Sequence, residues 1–330
     1  MGEFELIKRF FTRPTPRAVL GVGDDCALLQ SAPAMQLAIS SDMLVEGRHF
    51  FADVDPGKLG HKALAVNLSD LAACGARPLA FTLALALPRA DAAWLEGFAN
   101  GLLALADAHG CELIGGDTTK GPLNICITVL GEVPPGAALL RSGARAGDDI
   151  WVSGTLGDAY LALRCLQGQL PLPAPVRALA LERMQRPTPR VGLGLALRGI
   201  ASAAADISDG LLGDLGHILE RSQLGATLDS QAALPLLASR ALYGDDAAAF
   251  ARDIGPALAL RCVLSGGDDY ELVFTAAPAQ RAAVLAAARS AETDVSRIGQ
   301  IDAQPGLRVL DADGAPLTER FSAFDHFNSD

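Results

Sequence analysis

An α/β (α+β) protein of two domains is what this sequence predicts, and three observations carry the prediction. The chain has 330 residues, half of them hydrophobic, enough for two ordinary domains with sizeable cores. Strand-like and helix-like segments alternate through both halves instead of separating into a sheet part and a helical part. Between the halves, from Pro134-Pro135-Gly136 to Gly147-Asp148-Asp149, the apolar pattern lapses and turn formers gather, so domains at 1–138 and 139–330 are expected.

In the first half, residues 35–41 read as a strand, and Asp55-Pro56 supplies an N-cap and first-turn proline for a helix running to Cys74. The continuous apolar run 79–87 suits a strand buried on both faces. Residues 91–109 form an amphipathic helix with Trp94, Leu95, Phe98, Leu102 and Leu105 inward, and 123–133 alternates as a strand. The second half restarts with a strand at 150–153 and helices near 157–167, 176–186 and 191–204. Strand-like 205–208 then leads into a helix expected to begin at Asp209. Strands near 262–265, 270–275, 295–301 and 306–310 surround a helix at 279–290.

Composition narrows the function. With 27 basic against 38 acidic residues the net charge is −11, which argues against a binder of nucleic-acid backbones. No apolar run approaches the roughly 18 residues of a membrane span, and the N-terminus lacks a signal-peptide pattern, so a cytoplasmic location is expected. The six cysteines include no CxxC pair and the five histidines no HExxH, so zinc is not supported and the thiols read as small buried side chains.

The chemistry resides in acidic clusters: Gly23-Asp24-Asp25, Ser40-Ser41-Asp42, Asn67-Leu68-Ser69-Asp70, Gly115-Gly116-Asp117, Asp206-Ile207-Ser208-Asp209, Asp214 and Gly266-Gly267-Asp268-Asp269. Buried carboxylates are costly unless paired, hydrogen-bonded or bound to metal, and the basic residues do not track these acids. Hard divalent cations take oxygen ligands, and magnesium is commonly completed by substrate phosphates. A multi-metal site for phosphate chemistry is the economical reading, and it must work without a P-loop or protein-kinase signature, since neither is present. Asp42 is expected at a strand end, where α/β sites collect ligands, with Ser40 and Ser41 as neutral oxygen donors. Asp70 lies late in a helix with Asn67 one turn earlier on the same side. Asp24-Asp25, after the glycines at 21 and 23, fits a plain turn equally well. Gly115-Gly116-Asp117 is expected to follow a short strand, its glycines letting backbone amides approach a phosphate. Asp206 and Asp209 flank Ser208 at a strand-to-helix junction, where amides favour an anion and the acids its magnesium. Asp214, a turn and a half into that helix, reads as a surface or packing acid, and Arg141 as a weak candidate for a nucleotide phosphate.

Six segments together are more specific. Gly-Val-Gly-Asp-Asp-Cys-Ala at 21–27, Ile-Ser-Ser-Asp-Met-Leu-Val-Glu-Gly-Arg-His-Phe at 39–50, Lys-Ala-Leu-Ala-Val-Asn-Leu-Ser-Asp-Leu-Ala-Ala at 62–73, Gly-Gly-Asp-Thr-Thr-Lys-Gly at 115–121, Ile-Ser-Asp-Gly-Leu at 207–211 and Ser-Gly-Gly-Asp-Asp-Tyr-Glu-Leu at 265–272 resemble, in order and nearly without gaps, the bacterial thiamine-monophosphate kinase family. The resemblance implies the fold of aminoimidazole ribonucleotide synthetase: an N-terminal domain for ATP, Mg2+ and homodimerisation through a shared sheet or barrel, and a C-terminal α/β domain completing the substrate site. It implies ATP and thiamine monophosphate as partners and several Mg2+ ions held by Asp25, Ser40, Ser41, Asp42, Asp70, Asp117, Asp206 and Asp209. It further implies ATP contacts from Gly116, Asp117, Arg141 and Ser208, and substrate contacts from His49, Asp268 and Phe324, with no general base or covalent nucleophile. Two positions depart from the family pattern: Asp268 stands where Glu is usual, and Phe324 where Trp or Tyr is common. The alternatives are another ATP-using enzyme of the superfamily, selenophosphate synthetase-like or hydrogenase-maturation-like, and a noncatalytic acidic cation-binding protein.

Overall fold

The computed structural model describes residues 2–317 and divides into two compact units after Ala138. In the first unit a short helix α1 (Glu3–Leu6), extended by a π-turn, precedes β1 (Gln36–Val45), α2 (Pro56–Ala73), β2 (Arg77–Leu87), α3 (Ala92–His109), β3 (Glu112–Lys120) and β4 (Asn124–Val133). The sheet order is β1-β4-β2-β3; only the β2/β3 pair is parallel. Asp55 caps α2 by accepting the Lys58 amide at 2.9 Å, and Asp91 caps α3 by accepting from Ala93 and Trp94. Leu95, Phe98 and Leu102 of α3 are buried, with Trp94 stacked on Phe98 at 5.1 Å.

The second unit contains β5 (Asp149–Ser153), α4 (Asp158–Leu166), α5 (Ala174–Gln185), α6 (Val191–Ala196), β6 (Ala203–Asp206), α7 (Leu211–Ser222), β7 (Gly225–Asp229), α8 (Ser230–Ala233), α9 (Ala247–Asp253), α10 (Pro256–Ser265), β8 (Leu272–Ala276), α11 (Arg281–Ser290), β9 (Val295–Asp302) and β10 (Gly306–Leu310). Its six-stranded mixed sheet runs β10-β7-β9-β5-β8-β6 over a core including Ile150, Val152, Leu211, Leu215, Ile218, Val263 and Val273.

Both units mix helices and sheets, as the α/β class requires, and several expected elements change. The residues near 262–265, expected as a strand, close the helix α10, because Gly255-Pro256 starts a helix upstream. The helix expected over 191–204 stops at Ala196 before Gly199, whose φ is 72°. β1 and β3 both run beyond their apolar stretches, so Asp42 and Gly115-Gly116-Asp117 lie inside strands and not at their ends. The cysteines are less uniform than expected: Cys111 and Cys262 are buried, with burial pushing each thiol up to about 12, whereas Cys26 is exposed. Among the described residues, no helix is long and apolar enough to cross a membrane.

The helical layer of the first unit depends on backbone contact between α2 and α3. A Cβ added at Gly101 would stand 1.8 Å from the Gly57 carbonyl oxygen, and one at Gly60 would stand 2.1 Å from that of Phe98. Only glycine permits this approach. Gly101→Ala is expected to lower the unfolding free energy by about 1–3 kcal/mol, as overpacking does, read as a fall in the denaturant midpoint.

Candidate active site

In the first unit the site is built where α2 docks on β1. Residues Ser40 and Asp42 alternate onto the face turned to the helix. The Asp42 amide donates to Asn67 Oδ1 at 3.2 Å, while Asn67 Nδ2 donates to the Ala63 carbonyl at 3.0 Å within the helix. One turn later the Ser40 hydroxyl donates to the Asp70 carboxylate. The Asn-Leu-Ser-Asp spacing therefore places two polar side chains, three residues apart, against alternate positions of one strand. Ser41 faces the other way, with its hydroxyl donating to the Ile127 carbonyl at 3.1 Å and lying 3.0 Å from the Thr128 hydroxyl. Its side chain is therefore separated from the Ser40, Asp42 and Asp70 group.

The other expected residues of this unit have different settings. Asp25 is exposed in a loop whose ends are bridged by Leu20 and Leu28, and its amide donates to Asp24 at 3.2 Å. Asp117 is exposed on the edge strand β3. The neighbouring Gly116 has φ 146°, and an added Cβ would come 1.9 Å from the Leu83 carbonyl oxygen. Close strand packing thus accounts for that glycine without a phosphate. His49 follows β1 in a turn in which the Val45 amide donates to His49 Nδ1 at 3.0 Å. That bond assigns the proton of the neutral ring to Nε2.

In the second unit the ends of three segments converge. Asp206 ends β6 and is buried, and Ser208 and Asp209 follow it in a turn. The Ala204 amide donates to the Leu140 carbonyl at 2.9 Å, which brings Arg141 alongside β6. The Asp268 amide donates to the Ser208 carbonyl at 2.8 Å and the Tyr270 amide to the Ile207 carbonyl at 2.9 Å, joining the Gly-Gly-Asp-Asp segment to the Asp-Ile-Ser-Asp segment. The Ser208, Asp209, Arg141 and Asp268 expected from sequence are thus brought together in one region. Phe324 lies outside the described residues.

Two expectations for this turn change. α7 begins at Leu211, not at Asp209, and Asp214 is no surface acid: it is 2% exposed and one of its oxygens accepts the amides of both Ser208 and Asp209 at 3.1 Å. The anion that satisfies the amides of this junction is therefore a side chain of the protein itself, which leaves the Ser208 hydroxyl, and not its amide, for a ligand. Burial pushes the Asp214 carboxyl up to about 7, against the pull of those amides. A signal for Asp214 existed in the sequence, since it shares the helical stripe of Leu211, Leu215 and Ile218.

Behind the turn sits a second buried carboxylate. Asp269 accepts the Gly157 amide at 3.0 Å with both oxygens, and burial raises its pKa well above 3.8. Glu271, fully buried, is held by Arg183, Arg190 and Ser153. Asp269 belongs to the acidic cluster at 266–269, but the sequence assigns no role to it or to Glu271.

The donor set suits a hard cation. Hydroxyl and carboxylate oxygens alone are grouped at Ser40, Asp42 and Asp70, with no thiol or imidazole. Among the described residues, no three His, Cys, Asp or Glu side chains cluster as a ready-made metal cage. Magnesium fits such a set, because it keeps waters and takes substrate phosphates as ligands.

The family model for AIR synthase related protein, N-terminal domain, matches residues 23–133, and that for the C-terminal domain matches 135–312. These matches define a two-domain protein of the AIR synthase related class. A thiamine-monophosphate kinase of Salmonella typhimurium is 46% identical over 331 residues, 99% of this chain and 98% of the relative. The crystal structure of thiamine-monophosphate kinase from Stenotrophomonas maltophilia K279a matches with a TM-score of 0.80 at 48% identity, covering 95% of this chain and 96% of that one. AaThiL complexed with AMPPCP and TMP matches with a TM-score of 0.75 at 29% identity over 90% and 89%. Within the AIR synthase related class, the chain belongs to the thiamine-monophosphate kinase family and is a phosphotransferase enzyme.

Asp269 leads to a pH prediction. Its carboxyl ionises near 3.8 when unfolded but at higher pH when folded, so the folded state binds the extra proton in between. The associated stability is fully present below the unfolded value and is lost as pH rises. Asp149, held low by Arg281, acts oppositely and only below its ordinary range. Asp269→Asn should therefore flatten the decline of unfolding free energy as pH rises above the ordinary carboxylate range, measured by urea titration; a slope equal to wild type would contradict the assignment.

Proposed function

We propose that the enzyme transfers the γ-phosphoryl group of ATP directly to thiamine monophosphate, giving thiamine diphosphate and ADP, with several Mg2+ ions at the site. The observation that carries this reading is the all-oxygen group formed where Ser40 and Asp42 meet Asn67 and Asp70, in a chain 46% identical along 99% of its length to a thiamine-monophosphate kinase. The AMPPCP and TMP bound by AaThiL support the choice of substrates. A cytoplasmic location accords with them.

Ser40, Asp42, Asp70, Asp25 and Asp117 would hold magnesium in the first unit and Asp206 and Asp209 in the second, with Ser41 contributing only through its main chain. When bound, magnesium neutralises phosphate charge and aligns the reacting groups. The nucleophile is a phosphate oxygen of the acceptor, largely deprotonated near neutral pH because its second pKa is near 6. No residue need act as general base. In the second unit Arg141 and the Ser208 hydroxyl are assigned to phosphate oxygens of the nucleotide; in the first unit Gly116 and Asp117 are assigned as ATP contacts. His49 offers its Nε2 proton to the acceptor, and Asp268 attracts the cationic thiamine ring system, with Phe324 assigned to stack on it. Asp268 is one methylene shorter than the usual Glu, so water bridges its contact.

The partner is a second copy of the chain. The face of β1 opposite Ser40 carries Leu37, Ile39 and Met43, exposed by 48%, 62% and 52%, on the edge strand of the sheet. An apolar edge of this kind calls for a cover, and a twin strand supplies one. Ile39→Asp should shift the protein from dimer to monomer in light scattering; a monomeric wild type would overturn this assignment.

Purified enzyme with MgATP and thiamine monophosphate should form thiamine diphosphate, and thiamine should not replace the monophosphate. Asp70→Asn and Asp209→Asn should each lower turnover by about 100-fold or more with circular dichroism unchanged. Wild-type rates in both would remove the ligand assignment, and a labelled phosphoprotein competent for transfer would exclude direct transfer.

A further inference from the structure

The established motifs include no role for Asp214, yet its geometry ties together both functional segments of the second unit. A single oxygen, Oδ2, accepts the amides of Ser208 and Asp209, each at 3.1 Å, across six and five residues of chain respectively. The turn so fixed is also the template for the loop that follows α10. Ser208 and Ile207 carbonyls receive the Asp268 and Tyr270 amides at 2.8 and 2.9 Å, and the Ile207 amide donates to the Glu271 carbonyl at 2.8 Å. Contact is close enough that a Cβ on Gly267 would lie 2.4 Å from the Ser208 oxygen. Within this ladder Asp268 and Tyr270 hold φ of 72° and 54°, a left-handed backbone that non-glycine residues adopt at a cost and that its surroundings must enforce. On the far side Asp269 is clamped to the Gly157 amide. Asp268 therefore cannot keep its place if the Ser208–Asp209 turn moves.

We propose that Asp214 is a positioning residue for the phosphoryl transfer: it sets the Ser208–Asp209 turn, and through the main-chain ladder it sets the direction of the substrate-side acid Asp268. The inference rests on the proposed ion-holding role of Asp209 and deepens it. What matters is where the acceptor oxygen stands, not the charge it carries. Asparagine keeps a carbonyl oxygen at the same reach from the backbone, whereas glutamate keeps the carboxylate but carries it one methylene further.

The test compares Asp214→Asn, Asp214→Glu and Asp209→Asn by Mn2+ binding without substrate, by thermal melting, and by KM for thiamine monophosphate. Asp214→Asn should stay within about threefold of wild type in Mn2+ affinity, and Asp214→Glu should lose about tenfold, the scale of outer-shell support for metal ligands. Asp214→Glu should also raise KM for thiamine monophosphate several-fold, since Asp268 is displaced with the turn. A merely structural role would lower the melting temperature of Asp214→Glu and leave Mn2+ affinity and KM at wild-type values, which would overturn the proposal. Loss of Mn2+ affinity in Asp214→Asn but not in Asp214→Glu would overturn it in favour of charge. If Asp214→Glu does not fold, Asp214→Asn decides alone: retained affinity supports positioning, and lost affinity refutes it. Unchanged Mn2+ affinity in Asp209→Asn would sink the ion-holding role of Asp209, while KM in Asp214→Glu still reports on the placement of Asp268.

Discussion

The hydrogen bond from the Asp42 amide to the Asn67 side chain is the constraint on which the first unit's site depends. Strand registers are fixed by ladders between main chains, but nothing in a ladder fixes the register of a helix lying across the sheet. Asn67 does so by reading the main chain of β1 while its own amide group is held by Ala63. Given that register, Asp70 must meet Ser40 and cannot meet Ser41, because the side chains of a strand alternate. Backbone contact between α2 and α3 at Gly60 and Gly101 then holds α2 from behind. A site made this way tolerates little sliding: a displacement of one residue along β1 would exchange the oxygen-rich face for the apolar one.

The second unit solves the corresponding problem with carboxylates that accept main-chain amides. Asp158 accepts from Ala238 and Ser239, Asp214 from Ser208 and Asp209, and Asp269 from Gly157. All three are buried, and burial raises the pKa of each. Such groups cost free energy when ionised, so their retention points to geometry that an apolar residue could not impose. Loops without regular secondary structure need this support, since their amides find no ladder. The same amides would otherwise be open to any anion, and a protein carboxylate placed on them leaves hydroxyl and guanidinium groups as the donors for phosphate in the proposed reaction.

How much of this was legible in the sequence follows from what each signal measures. Asp55-Pro56 and the apolar period of 91–109 are local, so α2 and α3 stand close to where they were expected. Asp42 and Asp117 were expected at or beyond strand ends because hydrophobic runs stop where burial stops, while hydrogen-bonded ladders continue into exposed residues. The 262–265 segment misled because a short apolar run fits helix and strand alike, and Gly255-Pro256 was the deciding cue. The acids of the matched motifs were visible as residue types, but their division of labour was not. Ser41 separates from Ser40 by simple alternation, which the strand assignment already contained. Asp214 was set aside because spacing in a helix reveals side-chain neighbours, whereas its partners are amides in the preceding turn.

The division of labour also resolves an electrostatic difficulty. A chain of net charge −11 would repel the two phosphate-bearing substrates proposed for it, and repulsion of this kind is weakest where carboxylates are withdrawn from solvent or neutralised. The buried acids answer the first condition, since burial raises their pKa values and so disfavours their charged forms, and their amide partners offset the charge that remains. The exposed acids, Asp25 and Asp117 among them, answer the second only with cations present. In the proposed reaction the acidic surface therefore serves as a charge switch: repellent to phosphate in the absence of divalent ions and attractive once they arrive with the nucleotide. The structural acids are poorly suited to that switch, because they are buried and each accepts main-chain amides.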